Sequence, residues 1–273
     1  MTPYNTLKRA REFWSRSKSM PLIYFATLLA ALVVPQAQAK TDEIFVVTPG
    51  FVYNAGLLDL AAAYTKETGI KVTIRYDIMD KIMNDIKTGT PVADVVVLPM
   101  EPFDYMGRLA LDKDIQEGTF TPLGRVEIGL ATKAGASHPD ISTVEKLAAA
   151  LKGAQAVMYS DPTKGSMEGG IIDRLLKQPQ FASVRGVIST DQEGGQALAH
   201  GKGDMALQLV CEVYPHPEIS LVGPLPPELN AHMDGAVAVS SRSADPAAAE
   251  AFIRYITRPE ATATWKAKGL DRF

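Results

Sequence analysis

The chain has 273 residues, 46% of them hydrophobic, which suits one large globular domain or two lobes of about 100 residues each. Its formal net charge is −3, and because residues 1–39 carry five basic residues and one acidic residue, the remainder carries −7. An acidic chain of this kind argues against nucleic acid and against an anionic membrane surface as partners.

The first 39 residues have the pattern of a secretory signal peptide. Five basic residues precede an uncharged stretch from Pro21 to Val34, and Ala37-Gln38-Ala39 then matches the small-x-small motif that a signal peptidase reads. The alternative is an N-terminal membrane anchor, but this stretch is shorter than the roughly 20 residues that span a bilayer. We therefore predict cleavage after Ala39 and a soluble periplasmic protein.

Beyond residue 40, short strand-like runs alternate with helix-like runs. The first unit is predicted to contain strands at 43–48, 71–76 and 93–99 and helices at 57–66 and 78–87. The continuous apolar run at 93–99 is typical of a strand that is covered on both faces. This alternation predicts a parallel sheet with crossover helices.

The same plan restarts after residue 123. Its first helix is predicted to begin at a capping box formed by Ser142 and Glu145 and to end at Gly153. The other predicted elements of this part are strands at 124–133, 154–162, 219–226 and 235–241, a helix over 171–176, a helix and strand over 194–210, and helices at 245–257 and 258–269. The chain therefore consists of two α/β units of similar plan.

Two strand-to-helix junctions are candidate ligand sites. Ligands of an open parallel sheet bind beyond the carboxyl ends of its strands, where helices direct backbone N–H groups and a positive dipole end at the crevice. The junctions at Thr48–Asn54 and Asp161–Gly170 have this character. The alternative is that both are plain connections, since every α/β protein has such turns. Neither matches a nucleotide-binding glycine motif.

The sequence offers little support for a metal, a cofactor or a nucleophile. The four histidines are far apart and have no metal-ligand spacing, so we predict no cofactor. Cys211 lies in the apolar run LQLVCEV and is predicted to be a core residue, and an intramolecular disulfide is excluded because it is the only cysteine. Acidic residues such as Asp77, Asp80 and Glu212 are expected to be solvated or helix-capping.

Five segments of the chain resemble periplasmic solute-binding proteins of the molybdate-binding type. They run in order along nearly the whole chain after residue 40: LLDLAAAYTKETGIKV, KTGTPVADVVVL, KGDMALQ, VGPLPPEL and PAAAEAFIRYITRPEATATWKAKGL. The resemblance implies the α/β two-lobed periplasmic-binding-protein fold, each lobe a mostly parallel sheet flanked by helices and joined by two crossover strands. The expected lobes are residues 41–123 plus 238–273 and residues 124–237, with a ligand between them and closure by hinge motion.

The ligand residues depart from the family pattern. The family holds an oxyanion with hydroxyl side chains and amides, whereas this chain has Val52 at the first turn and Asp77-Ile78-Met79-Asp80 at the second. Leu209, beside Gln208, replaces a tyrosine that is frequent in the family. A larger, more apolar pocket for an organic anion, such as a carboxylate, is therefore expected in place of one for molybdate. The predicted ligand-binding residues are Gly50, Phe51, Tyr53, Asn54, Met79, Lys81, Lys164, Gly165, Ser166 and Gln208.

Two functions remain open at this point. The first is a monomeric binding protein that captures a small anionic ligand for the permease subunits of an ABC-type importer, with no membrane contact except through that transporter. The second is an exported isomerase of the aconitate type, an activity that also occurs on this scaffold and needs a base in a water-poor cleft. Candidate bases are Lys81, Asp77, Tyr53 and His232, and the sequence does not choose among them.

Overall fold

The computed structural model describes residues 41–100, 102–190 and 193–273. The predicted signal peptide, residues 1–39, lies outside this part of the chain. No helix within the described residues is both long enough and apolar enough to cross a lipid bilayer.

The described residues form one ten-stranded sheet with helices packed on it. The strands are β1 (Glu43–Thr48), β2 (Lys71–Tyr76), β3 (Val95–Pro99), β4 (Thr121–Lys133), β5 (Val157–Ser160), β6 (Gly186–Ser189), β7 (Met205–Leu209), β8 (Ile219–Pro224), β9 (His232–Val239) and β10 (Leu270–Arg272). The helices are α1 (Gly50–Val52), α2 (Leu58–Thr68), α3 (Met79–Thr88), α4 (Tyr105–Leu111), α5 (Val144–Gly153), α6 (Met167–Leu176), α7 (Gly194–Ala199), α8 (Val210–Val213), α9 (Pro246–Thr257) and α10 (Thr262–Ala267). A π-helical turn, Tyr53–Leu57, joins α1 to α2.

The strand order along the sheet is β2-β1-β3-β9-β4-β7-β5-β6, with β8 and β10 also paired to β4. β1 is parallel to β2 and β3, and β5 is parallel to β6 and β7. β4 joins the two groups, because its residues 121–127 pair with β9 and its residues 128–132 pair with β7. The predicted α/β fold class is thus confirmed. The lobe limits remain a prediction, and the limit at 237/238 falls inside β9.

The helix after β1 begins earlier than the sequence pattern predicts. The predicted start is Leu57, whereas helical structure begins at Gly50, directly after Pro49. The early start includes a kink at Gly56, whose φ of 123° is a left-handed value that favours glycine. A Cβ atom at Gly56 would lie 3.4 Å from the buried ring of Trp265, an ordinary contact distance, so the backbone conformation rather than the packing favours glycine here. The kink therefore fixes where the first turn of this helix points.

The neighbouring helix α3 follows its predicted pattern closely. Met79, Ile82 and Ile86 are buried against β1 and β3, as the helical spacing requires. Gly89 ends the helix in the left-handed conformation with φ 66°. Ile78, predicted to be the first apolar position of the helix, instead precedes it and is exposed. The capping residue of α5 likewise differs by one position, since Thr143 accepts from the amide of Lys146.

Candidate functional site

A cavity of about 460 Å³ lies at the carboxyl ends of the parallel strands. Most of the residues that line it end or follow one of five strands, β1, β2, β5, β6 and β7, and one residue, Met233, lies within β9. They are Pro49, Gly50, Phe51, Asp77, Ile78, Met79, Ser160, Asp161, Lys164, Gly165, Ser166, Met167, Glu168, Ser189, Thr190, Glu193, Leu209, Glu212 and Met233. This is the position at which ligands of open α/β sheets bind.

The first wall of the cavity is formed by two helix starts that have no capping side chain. Pro49 precedes α1 and Ile78 precedes α3, and both have extended backbone and make no side-chain capping bond. Thr143 caps α5 and Asp245 caps α9 with side-chain oxygens, whereas α4, α7, α8 and α10 also begin without such a cap. The first N–H groups of a helix have no partner within the helix and lie at its positive dipole end. The amides at these two helix starts are therefore available to an anion.

The opposite wall contains a turn with one cationic side chain. Asp161 accepts hydrogen bonds from the amide of Thr163 (2.8 Å) and from its hydroxyl (2.7 Å), which holds the turn after β5. Lys164 follows and donates to the carbonyl of Thr190, the residue directly after β6. Ser166 caps α6 by accepting from the amide of Gly169 at 3.0 Å. Lys164 is the only lysine or arginine among the described residues that line the cavity.

Helix α6 approaches β5 closely enough to bring Glu168 beside Ser160. A Cβ atom at Gly169 would lie 2.4 Å from the carbonyl oxygen of Ser160, so only glycine permits this approach. The hydroxyl of Ser160 then donates to Glu168 Oε1 at 2.7 Å. Glu168 is 7% exposed and is thereby held at the floor of the cavity.

Gln208 connects Glu168 to a second buried carboxyl group, that of Glu212. Its side-chain Nε2 donates to Glu168 Oε1 at 2.6 Å and also to Glu212 Oε2. Its Oε1 accepts from the amide of Gly195 at 3.0 Å, which fixes the orientation of the side-chain amide. Gln208 itself is fully buried behind the cavity, whereas the two glutamates line it. A third glutamate, Glu193, directly precedes α7 and also lines the cavity. We call Glu168, Glu193 and Glu212 the glutamate cluster.

Burial and mutual repulsion favour the neutral carboxyl form within this cluster. Burial, followed by the charges of Glu168 and Glu193, raises the pKa of Glu212 well above its usual range. Burial, followed by the charge of Glu168, raises the pKa of Glu193 to about 7. Glu193 is nevertheless accessible to solvent, and it lines the cavity. The cavity thus holds an acid–base group that titrates near neutral pH.

One further polar atom at the cavity lacks a partner. Ser189 ends β6, lines the cavity and is 4% exposed, and among the described residues its Oγ has no hydrogen-bond partner. A buried hydroxyl without a partner costs free energy, so such a group at a cavity wall indicates a place for a ligand atom or a water molecule.

A family model described as bacterial extracellular solute-binding protein matches residues 50–271. This match spans most of the chain. The chain belongs to the bacterial extracellular solute-binding proteins. Among curated proteins it is similar to an aconitate isomerase of Pseudomonas sp, with 26% identity over 257 residues, which cover 92% of this chain and 96% of that protein.

This solute-binding protein also resembles solved structures over most of its length. The periplasmic molybdate-binding protein of Azotobacter vinelandii matches with a TM-score of 0.65 and 19% identity over 83% of this chain and 98% of that chain. L-phospholactate-bound PEB3, a protein known from Campylobacter jejuni, matches with a TM-score of 0.61 and 17% identity over 84% and 100% of the two chains. Identities this low show the fold alone. The predicted resemblance to the molybdate-binding type is confirmed.

Seven of the residues predicted for the site lie at the cavity. Six of them are predicted ligand residues, and the seventh, Asp77, is a candidate base that also forms an ion pair with Arg75 at 3.1 Å. The six are Gly50, Phe51, Met79, Lys164, Gly165 and Ser166. The two strand-to-helix junctions singled out in the sequence therefore meet at one cavity.

The other predicted residues lie elsewhere in the solute-binding protein. Tyr53 packs on Tyr76 with ring centroids 4.6 Å apart, and Asn54 belongs to the same π-helical turn. Lys81 pairs with Asp85 at 3.2 Å. His232 lies in β9, 3.7 Å from Asp234, and is almost fully buried. Gln208 is behind the wall. None of these five is among the residues that line the cavity.

The glutamate cluster is the part of the site that the sequence analysis missed. Glu212 was expected to be solvated or helix-capping, and this expectation is wrong, because the residue is 5% exposed. A signal was present: Gln208 and Glu212 are four residues apart within the otherwise apolar run LQLVCEV. Cys211 in the same run is buried as predicted, and its Sγ donates to the carbonyl of Phe51 at 3.3 Å. In the described residues, no group of His, Cys, Asp or Glu side chains is arranged to hold a metal ion.

Proposed function

We propose that this solute-binding protein captures a small organic anion with at least two carboxylates in the cavity between its helix starts. The observation that carries the proposal is the pair of uncapped helix starts at Gly50 and Met79 on one wall, opposite Lys164 on the other. Backbone amides and a lysine are donors that a carboxylate accepts from both sides. The bound L-phospholactate of PEB3 is an organic anion on the same fold.

The cavity is poorly suited to a tetrahedral metal oxyanion. Such an ion requires a compact shell of neutral donors. Much of the lining of this cavity is instead apolar, with contributions from Phe51, Ile78, Met79 and Leu209. The carbon skeleton of an organic anion can pack on those side chains while its carboxylates accept from the amides. We also propose the finer points of cellular role: export to the periplasm, a monomeric state and delivery of the ligand to the permease subunits of an ABC-type importer.

Titration calorimetry tests this function. The purified protein, residues 40–273, is titrated with trans-aconitate, citrate, tricarballylate, sulfate and molybdate at pH 7. We expect binding of at least one tricarboxylate and none, or far weaker binding, of the two inorganic anions. Sub-micromolar binding of molybdate together with no binding of the tricarboxylates would overturn the proposal.

A second candidate function is isomerisation of a bound unsaturated tricarboxylate. The observation that favours it is Glu193, whose pKa of about 7 suits a group that accepts a proton from carbon and returns it at another carbon. The aconitate isomerase that matches nearly the whole chain adds to this candidate. Incubation with trans-aconitate, followed by chromatography of the cis isomer, tests it. No interconversion at high protein concentration by a protein that binds trans-aconitate would leave capture as the function.

A further inference from the structure

The cavity combines features that favour and oppose an anion. Its uncapped amides favour negative charge, but among the described residues that line it five are acidic and one, Lys164, is a lysine. Asp77 is paired with Arg75, and Asp161 accepts bonds within its own turn. The glutamate cluster differs, because none of the ion pairs found among the described residues includes any of its three members. If all three were ionised, they would repel the ligand that the amides attract.

The geometry of the cluster favours a bound proton. Nε2 of Gln208 donates to Glu168 and to Glu212, which holds the two carboxyl groups beside each other. Two ionised carboxylates held side by side in a buried site repel one another and lose solvation. The pKa of Glu212 is accordingly raised well above its usual range, mainly by burial, which favours its carboxylic acid form.

Glu193 connects this buried pair to the ligand space. It precedes α7, the helix whose Gly194 amide donates to Ser160 Oγ and whose Gly195 amide donates to Gln208. It is close enough to Glu168 for their charges to interact, and it is the member of the cluster that solvent reaches. The other charged groups around the cavity are Lys164 and Asp161 after β5, Asp77 before α3, and Glu212 on α8.

We propose that the organic anion binds to this cavity together with a proton, that Glu193 takes up this proton, and that the protonated carboxyl donates a hydrogen bond to a carboxylate of the ligand. The inference rests on the proposed function as an organic-anion binder and specifies its ligand class. A carboxylate suits a carboxylic acid donor, because the two can share one proton in a short hydrogen bond. The unpartnered hydroxyl of Ser189 offers a second donor at the same wall.

The sign of the pH dependence follows from linkage. An anion placed beside Glu193 favours its neutral form, so the bound state holds more protons than the empty state near neutral pH. Affinity therefore rises as pH falls. Uptake of up to one proton corresponds to about a 3- to 10-fold gain in affinity for trans-aconitate between pH 8 and pH 7.

Calorimetry with trans-aconitate at pH 6, 7 and 8, in two buffers of different ionisation enthalpy, measures this uptake directly. Wild type is expected to take up protons on binding and to bind more tightly at lower pH. Glu193→Gln keeps a donor but cannot titrate, so we expect affinity that is independent of pH. Glu228→Gln, on an exposed turn at Pro227–Leu229, is the matched control and should keep the wild-type slope. Binding without proton uptake, or an unchanged slope in Glu193→Gln, overturns the inference while leaving the proposed function intact.

A measurement without ligand separates failure of this inference from failure of the proposed function. Carbon NMR of glutamate-labelled protein is followed from pH 5 to 9 in wild type and in Glu193→Gln. We expect one carboxyl resonance of the empty protein to titrate near pH 7 and to be absent from the variant. If trans-aconitate, citrate and tricarballylate all fail to bind, the proposed function is wrong for these anions, and this titration still decides whether Glu193 holds the proton. A resonance that titrates only near pH 4 to 5 refutes the inference.

Discussion

At the residue scale, two serines at the cavity differ in their hydrogen bonding. Ser160 uses its hydroxyl fully, since it donates to Glu168 and accepts from the amide of Gly194 at 3.3 Å. Ser189, one strand away, has a buried Oγ without a partner among the described residues. Two serines at matching strand ends are therefore expected to have different roles: the first holds the glutamate cluster together, and the second is proposed to meet the ligand.

Alanine substitutions separate these two roles. Ser189→Ala is expected to leave the free energy of unfolding unchanged or slightly higher, because it removes a buried hydroxyl without a partner, and to weaken binding of trans-aconitate. Ser160→Ala is expected to lower the free energy of unfolding by about 1–3 kcal/mol, because it leaves buried groups unpaired. Urea unfolding and calorimetry measure both quantities. A strong destabilisation by Ser189→Ala would show that its hydroxyl has a structural partner.

Glu212 makes stability depend on pH in a predictable direction. Its pKa in the folded protein lies well above the unfolded value near 4.5, mainly because it is buried, so the folded state favours its neutral form. Its contribution to stability is complete below pH 4.5 and is lost as pH rises through the folded pKa. Glu212→Gln cannot ionise and should therefore gain stability relative to wild type as pH rises above 4.5. Urea midpoints measured between pH 5 and 9 check this, and a constant difference between the two proteins across the range would contradict it.

At the scale of single elements, helix starts divide into capped and uncapped ones. Thr143 and Asp245 cap α5 and α9 with side-chain oxygens, as helix starts in general prefer. The helix starts after Pro49 and Ile78 lack such caps, although a cap is worth about 1 kcal/mol. Both of these starts line the cavity, as do the uncapped starts of α7 and α8, whereas the uncapped starts of α4 and α10 do not. At Gly50 and Met79 the stability that a cap would add is therefore absent, and the amides there face the proposed ligand.

Introducing a cap at α3 should therefore trade binding for stability. Ile78→Ser places a hydroxyl acceptor at the start of the helix, which is expected to raise the free energy of unfolding by about 0.5–1 kcal/mol and to weaken binding of trans-aconitate by competing for the same amides. Thr143→Ala is the control: it removes a cap from a helix that does not line the cavity and should lower stability without changing affinity. Unchanged affinity in Ile78→Ser would show that the α3 amides do not hold the ligand.

The two lysines predicted at helix mouths provide another matched comparison. Lys164 lines the cavity, whereas Lys81 pairs with Asp85 on α3 and does not line it. A charge-assisted hydrogen bond to a carboxylate contributes about 1.5–3 kcal/mol, so Lys164→Met should weaken binding of trans-aconitate at least about tenfold. Lys81→Met should change affinity less than about twofold, because Lys81 does not line the cavity and its ammonium group is already paired with Asp85. If calorimetry showed a larger loss of affinity in Lys81→Met than in Lys164→Met, the lysine that binds the ligand would be the one on α3.

At the scale of the whole molecule, β4 joins the two halves of the sheet and the cavity draws residues from both. Pro49, Gly50 and Met79 come from the half that contains β1 and β2, while Ser160 and Glu212 come from the half that contains β5 and β7. The two walls already touch, since Cys211 donates to the carbonyl of Phe51. A ligand that bridges the walls would favour whichever arrangement of the halves it binds more tightly.

Export of the whole chain is predicted from its first 39 residues. If the chain is expressed in a Gram-negative host, the product in the periplasmic extract should begin at Lys40, because cleavage is expected after Ala37-Gln38-Ala39. N-terminal sequencing of that extract checks the cleavage point. A membrane-bound product that retains residues 1–39 would instead support the alternative of an N-terminal anchor.

The sequence by itself determined the α/β alternation, the family resemblance and the two junctions that meet at the cavity. These features depend on short-range patterns: apolar periodicity, the glycines that end α2 and α3, and the proline and glycine residues after strands. It also placed Lys164 and Ser166 in one turn, and both line the cavity, although their role in ligand binding stays a prediction. It located the ends of elements less accurately: the helix predicted to begin at Leu57 begins at Gly50.

Only the tertiary structure decided which side chains share the cavity. Glu168, Glu193 and Glu212 follow three different strands, and they meet because β5 lies between β6 and β7 in the sheet. Strand order is set by long-range packing, and no local pattern encodes it. The chemistry of the site depends on the same packing, because burial and mutual proximity, rather than residue type, raise the pKa values of Glu193 and Glu212.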